Sequence, residues 1–299
     1  MSQAMREGRE AAVPGVRVAA DAATGESDEM LIPVKSSARR LVELWLPPLV
    51  GLVVLLVAWI GIIRWQNTPP ILAPSPGDVL NGFRDNSGDL WTALLSTLQD
   101  AFLGLALSIV LGVGLAIIMS QAKMLERAIY PYTTLAQTIP VFAIAPLIYQ
   151  IAGDGHIAIV VVALIIAIFP MIANTSLGLT SVDASQVNLF RMYNASRLQE
   201  LLFLRLPSAI PNILTGIRVS SGLAIIGAIV GQFLLGSGDP AGGGLGYEIQ
   251  YAAHQGDWGL LGAAAITSAL LGIAVFIVLG LLSALALRHW HESAARQEN

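Results

Sequence analysis

Cysteine is absent from the 299 residues, which removes disulfides, thiolate metal sites and cysteine nucleophiles together and leaves the redox compartment unmarked. Charge is scarce as well. Asp, Glu, Lys and Arg make up 12% of the chain against 55% hydrophobic residues, a balance that a water-soluble enzyme does not carry. The 16 Lys and Arg stand against 20 Asp and Glu, so there is no excess of positive charge from which a nucleic-acid-binding face could be built. The four histidines, His156, His254, His289 and His291, have no carboxylate or thiolate at ligand spacing, and no metal site is expected. Catalytic patterns are missing too. The glycine-rich run from Gly236 to Tyr247 lacks the Lys-Ser ending of a phosphate loop and reads as a flexible external loop. No G-x-S-x-G elbow occurs.

What the chain has is long apolar runs. A helix needs roughly 20 apolar residues to cross the hydrocarbon core of a bilayer, because its backbone polar groups must be satisfied within the segment. Six uncharged windows are long enough: Leu44 to Ile63, Ala101 to Ala122, Ala128 to Gly153, Ile157 to Val182, Val219 to Gly238 and Trp258 to Leu287. The expected fold class is therefore an all-α polytopic membrane protein of about six transmembrane helices. Residues 1–40, mixed in charge and rich in Ala and Gly, are expected to be a disordered tail without the pattern of a secretory signal. Residues 41–66 are then a retained anchor helix, 67–90 an external Pro-rich connection, 91–290 a five-helix core and 291–299 a C-terminal tail.

Orientation follows from Lys and Arg, which are retained in the cytoplasm during insertion. Fourteen of the 16 fall on one set of alternating connections, the set that includes both termini; only Arg64 and Arg84 fall on the other, which carries Asp78, Asp85, Asp89, Asp154, Asp239, Glu248 and Asp257. Both termini are expected in the cytoplasm. In the connection 67–90, four prolines between Pro69 and Pro76 disfavour helix, and the segment reads either as a rigid strap for an external partner or as an irregular connector.

Within the core, Gly104, Gly112, Gly114, Gly216, Gly222, Gly227 and Gly231 suit close helix approach. Breaks at Pro140, Pro146 and Pro170 free carbonyls that must face protein or a wet cavity. The uncharged polar residues Gln137, Thr138, Gln150, Asn174, Thr175 and Gln232 either bond between helices or line a route for a polar solute; Gln137, Thr138, Pro140, Asn174 and Gln232 are taken as the candidate path. No carboxylate lies inside the six windows, which argues against a self-contained ion-coupled secondary carrier, the alternative reading.

The connection 183–218 is too long for a simple turn. Leu189, Met192, Tyr193, Leu198, Leu201, Leu202 and Leu204 recur at helical spacing beside Arg191, Arg197, Gln199, Glu200 and Arg205, and Pro207 is expected to stop the helix. Such a helix lies on headgroups or docks in a groove of a soluble partner. Here the chain resembles the permease subunits of bacterial ATP-binding-cassette importers, the binding-protein-dependent inner-membrane component family. Their loop signature is Glu-Ala-Ala, three residues, Gly, nine residues, Ile, one residue, Leu-Pro. Asn194 falls at the glycine, Leu204 at the isoleucine, and Leu206 and Pro207 match the closing pair, whereas Asn188, Leu189 and Phe190 replace Glu-Ala-Ala. Asn suits the glycine position because it tolerates a left-handed backbone. The runs APSPGDVLNGF from Ala73, TLAQTIPVFAIAPLIYQ from Thr134 and FPMIANTSLGL from Phe169 extend the resemblance over about residues 40 to 290, toward the branch importing nitrate, sulfonates, taurine, riboflavin or hydroxymethylpyrimidine.

The resemblance implies a type I importer permease in the bacterial inner membrane. Its partners would be two ATPase subunits, a second permease copy in a homodimer, an extracytoplasmic substrate-binding protein and the lipid bilayer. The chain itself would be no enzyme and bind no cofactor, ATP and Mg residing on the partner ATPase. Asn188, Leu189, Phe190, Asn194, Ala195, Ser196, Arg197, Leu204, Leu206 and Pro207 would form the ATPase-coupling loop, with Asn188 to Arg197 as the docking helix.

Overall fold

A computed structural model describes residues 74–153, 155–236 and 243–295, together with parts of 46–62. The expected tail 1–40 and residues 67–73 and 237–242 lie outside the described residues. The parts of the anchor segment that are described are helical.

Nine further helices follow in the described residues: α1 (Pro76–Asp85), α2 (Ser87–Ser120), α3 (Lys123–Thr138), α4 (Val141–Ala152), α5 (Gly155–Thr180), α6 (Ala184–Met192), α7 (Arg197–Leu235), α8 (Gly244–Gln255) and α9 (Trp258–Ala295). Four of them, α2, α5, α7 and α9, are long and apolar enough to cross a membrane. The window Ala128 to Gly153, expected as one span, is instead two helices parted at Ile139 and Pro140, whose extended backbone ends α3 and caps α4. Helix α1 begins where the prolines of the connection end: Pro76 takes the first turn, where its missing N–H costs nothing, and Ser75 and Asp78 close a reciprocal capping box. The amide and hydroxyl of Ser75 hold the Asp78 carboxyl below its ordinary range.

Helix α5 is the centre, packed between α2 and α7. Small residues make this possible. A Cβ on Gly104 would meet Ala163 Cβ at 2.6 Å, on Gly112 Met171 at 2.9 Å, and on Gly227 the Ala163 Cα at 2.7 Å. Gly216 and Gly231 abut Asn174 and Ile159 in the same way, whereas Gly114 and Gly222 face open space. Backbones this close gain dispersion contacts where lipid supplies no hydrophobic drive for association. Ser220 adds an interhelical bond, its Oγ donating to the Ala167 carbonyl at 2.8 Å.

Two buried clusters mark the two ends of this block. One joins α1, α2, α5, α7, α8 and α9 through residues such as Val79, Leu90, Ile159, Ile225, Leu245 and Leu260. The other joins the C-terminal ends of α2 and α5 to the start of α7 through Ala116, Leu179, Leu201 and Ala209. They define an α8 end and an α6 end.

Candidate functional site

At the α6 end, Asp183 starts α6 by accepting from the Ser185 amide at 2.9 Å. That amide first, and the Ser185 hydroxyl second, hold the Asp183 carboxyl below its ordinary range. None of the α6 side chains is buried. Leu189 is exposed, as are Met192 at 80% and Tyr193 at 81%, a set of apolar side chains that no other part of the described residues covers. Asn188 and Arg191 are exposed beside them, and Phe190 is half-buried.

The helix stops at Asn194, the only non-glycine residue with positive φ among the described residues, at 53°. Its amide bonds the Arg191 carbonyl at 3.0 Å, and the Ala195 amide bonds the Phe190 carbonyl at 3.0 Å. This pair of bonds is the Schellman arrangement, with Asn where glycine is commonest. Ser196 then caps the next helix, its Oγ accepting from the Gln199 amide at 3.3 Å while the Gln199 side chain accepts from the Ser196 amide at 2.8 Å. Ala195 and Ser196 therefore lie in the elbow between two helices, not on a docking helix with Asn188; both helix ends are satisfied within four residues, which leaves the elbow little freedom.

Beyond it, Pro207 does not stop the helix. The turn Leu201–Arg205 is π-helical, with the Leu206 amide reaching the Leu201 carbonyl, and the helix continues without interruption from Arg197 to Leu235, 39 residues. The wider turn relieves the clash that Pro207 would impose on the preceding carbonyls. It also brings residues five apart onto one face, so that the Arg205 guanidinium donates twice to Glu200 Oε1 at 2.7 and 2.5 Å. Leu204 is buried, and Leu206 is half-buried against the second cluster. The loop residues thus divide: Asn188, Leu189, Asn194 and Ser196 are exposed, Phe190 and Ala195 are half-buried, Arg191 and Arg197 are exposed at the rim of a cleft, and Leu204, Leu206 and Pro207 belong to the root of α7. Arg218, expected in the connection 183–218, sits within α7 with its guanidinium 4.2 Å above the Phe276 ring of α9.

The expected path residues do not converge. Gln137, Thr138 and Pro140 are exposed at the break between α3 and α4, with the Thr138 hydroxyl donating to the Leu135 carbonyl. Asn174 is half-buried on α5 against Gly216, its amide donating to the Pro170 carbonyl at 2.8 Å. Gln232 lies at the opposite end and is 0% exposed, engaged in bonds between helices, one of the two roles expected of it.

What surrounds Gln232 went unseen in the sequence. Its Nε2 donates to Asp100 Oδ2 at 2.8 Å, and its Oε1 lies 2.8 Å from the Thr97 hydroxyl and accepts the Gly246 amide at 3.3 Å. The Leu245 amide donates to Thr97 Oγ1 at 2.9 Å. Helix α8 begins at a glycine cap with no side chain to offer; Thr97 and Gln232 supply its missing cap from α2 and α7. Gly244, at φ 69°, has no room for a Cβ, which would meet the Gln232 amide at 2.3 Å or less. Asp100 is 2% exposed and His156 Nδ1 lies 3.3 Å from its Oδ1. The carboxylate thus sits on an apolar helix that starts at Ser87, well before the window that began at Ala101, and its imidazole neighbour is 56 positions away in sequence. A window scan and a spacing rule both pass over such a pair.

Two clefts flank these features. One, of about 510 Å³, is lined at the α6 end by Ser120, Lys123, Ser176, Arg191, Arg197 and Arg205 among others. The other, of about 590 Å³, opens beside Asp100 and His156 at the α8 end. None of the five expected path residues lines either.

Residues 108–296 match the family model for the binding-protein-dependent transport system inner membrane component. The formylaminopyrimidine transport permease protein ThiX of Halalkalibacterium halodurans is 37% identical over 232 residues, 77% of this chain and 90% of that protein. The riboflavin transport system permease protein RibX of Chloroflexus aurantiacus is 33% identical, covering 82% of this chain and 90% of its own. The taurine transport system permease protein TauC of Escherichia coli is 30% identical over 87% and 94%. Among solved structures, an amino acid ABC transporter shares the fold, with a TM-score of 0.56 at 16% identity over 69% of this chain and 96% of that one.

Proposed function

Because the chain belongs to the binding-protein-dependent transport system inner-membrane component family, we propose that α6 and the elbow at Asn194 are the grip through which a partner ATPase moves it. The chain is a multi-pass membrane protein and the permease subunit of an ATP-driven importer, whose membrane-crossing helices form the pathway for a small solute. The family places it beside an ATPase and a substrate-binding protein. The charge asymmetry of the connections supports cytoplasmic termini; these, together with two ATPase subunits and a homodimer of permeases, are our assignment. So is the absence of catalysis and cofactor binding in this chain, with ATP and Mg held by the partner.

The observation that carries this reading is an unburied helix joined without slack to the longest helix of the block. Helix α7 of 39 residues spans about 58 Å. A partner that closes on Leu189, Met192 and Tyr193 pulls α6; the capped elbow passes that displacement to Arg197; and α7 carries it to Gln232 at the far end. Coupling of this kind needs two discrete arrangements of a rigid element, not a flexible tether. The solute would pass along Gln137, Thr138 and Pro140, where the break between α3 and α4 leaves polar groups exposed, and past Asn174 on α5. Its class is a sulfonate, nitrate, taurine or a pyrimidine- or riboflavin-type compound, and the heterocycles come first because the relatives named for them share the higher identities. The buried Asp100 removes one argument against a secondary carrier; family membership decides for the importer.

The test is co-purification with the ATPase encoded beside this gene, followed by ATP hydrolysis with the cognate binding protein loaded from a panel of pyrimidines, flavins, sulfonates and nitrate. Stimulation by one loaded protein is expected. Absence of any associating ATPase would overturn the coupling role of α6.

A further inference from the structure

The cleft at the α6 end carries more charge than coupling requires. It is enclosed by the C-terminal ends of α2 and α5, the turn into α3, α6 and the root of α7. Four cations line it, Lys123, Arg191, Arg197 and Arg205, against the two carboxylates Glu126 and Glu200. Glu200 is committed to Arg205. Lys123, Arg191 and Arg197 have no ion pair among the described residues, so three uncommitted cations face one uncommitted carboxylate.

Neutral donors stand beside them. Ser176 lines the cleft, and its Oγ is one of three buried side-chain polar atoms without a hydrogen-bond partner among the described residues. Gln121, also in the wall, has its amide turned to the Ile117 carbonyl and Ser120 Oγ. A buried hydroxyl without a partner costs free energy that a bound acceptor would return. The floor is apolar: Ala116, Met119 and Leu201. At about 510 Å³ the volume suits a small organic ligand.

The geometry points to a binding site for a phosphate group carried on a small organic anion, held by Lys123, Arg191 and Arg197 with Ser176 as a neutral donor. Guanidinium groups meet phosphate oxygens in pairs, and several cations around one site favour a dense anion over a lone carboxylate. Two sources share this chemistry. An anionic phospholipid headgroup would reach the cleft from the leaflet in which α2 and α5 end, with its glycerol over the apolar floor; basic pockets between membrane helices bind headgroups in this way. A soluble phosphate ester would enter from the aqueous side. The site rests on the assignment of the α6 end to the cytoplasm, where both sources are present.

The full chain is purified and delipidated, then tested in two arms. In the first it is reconstituted in nanodiscs of phosphatidylcholine with or without phosphatidylglycerol, and native mass spectrometry counts the retained anionic lipid. In the second, inorganic phosphate and AMP are titrated by calorimetry in detergent. Binding of either probe is expected, and the double variant Lys123→Gln/Arg191→Gln should weaken it about tenfold or more. Ser176→Ala, which leaves every cation in place, should weaken it roughly threefold. Retention of phosphatidylglycerol alone identifies the headgroup as the source, and binding of phosphate or AMP alone identifies the soluble ester. If the unaltered chain binds neither probe, or the double variant binds as tightly, the site does not exist. ATPase association is measured on the same preparations. Intact association without phosphate binding overturns only this site, while phosphate binding without association overturns the coupling role of α6.

Discussion

Replacing Gln232 with Leu separates two roles for one buried amide. As a wall of the solute path, Gln232 should be removable with loss of transport and little loss of stability. As the trans cap of α8, it should cost stability first. Leu fills nearly the same volume, so the change is one of hydrogen bonds. Asp100 loses the donor at 2.8 Å and keeps His156 at 3.3 Å. The Gly246 amide loses its acceptor at 3.3 Å, and as a first-turn amide it has no partner within its own helix. Thr97 keeps the Ala93 carbonyl and the Leu245 amide and loses little. A hydrogen bond is worth about 0.5–1.5 kcal/mol net and a stranded buried amide costs about 1–3 kcal/mol, less what the leucine gains by burial. We expect a loss of about 2–4 kcal/mol. Interhelical bonds in membrane proteins average only about 0.6 kcal/mol, so two ordinary ones would give roughly 1.2 kcal/mol. Reversible unfolding in mixed micelles, with Thr97→Val to complete a double-mutant cycle, distinguishes the values. Amide exchange at Leu245 and Gly246 should accelerate in step. A loss under about 1 kcal/mol with unchanged exchange would refute the cap.

Asn194→Gly should leave coupling intact, because glycine takes the left-handed conformation freely, whereas Asn194→Val should cost about 1–2 kcal/mol at the elbow and lower transport-coupled ATP hydrolysis without preventing membrane insertion. Equal hydrolysis in the two variants would remove the elbow from the coupling route. Gly227→Ala must displace α5 from α7, since its Cβ would lie 2.7 Å from the Ala163 Cα, and should cost about 1–3 kcal/mol; Gly222→Ala, facing open space, should be neutral or slightly stabilising in the same unfolding assay. Asp183 has a folded-state pKa below its unfolded value, so its cap on α6 is fully present above the unfolded pKa of about 4 and is lost as pH falls through the lower folded value. Exchange at Ser185 and Val187 should therefore lose protection over that acid range, and Asp183→Asn should flatten the dependence.

The spans were legible because lipid permits few solutions: α2, α5 and α9 fall on the windows that hydropathy marks, and five of the seven core glycines stand where helices meet. The family's loop was legible through Asn194, whose left-handed backbone is a local property that one residue type reports. Three features were not, each because a local rule met a non-local remedy. Pro207 reads as a helix stop, but the π-helical turn before it absorbs the clash and the helix runs on. Asp100 was excluded by the very criterion that found the spans, since a window drawn to avoid charge ends beside the carboxylate, and the partner that makes its burial tolerable is Gln232, 132 positions later. Gln232 itself reads as a polar residue in a membrane helix, which marks either a path or a bond; deciding between them needs the position of α8, whose glycine cap leaves its first amides to be satisfied from elsewhere. The sequence thus exposes what each helix needs from lipid and from its own ends. It conceals what one helix lends another, and both the Gln232 cap and the cationic cleft are loans of that kind.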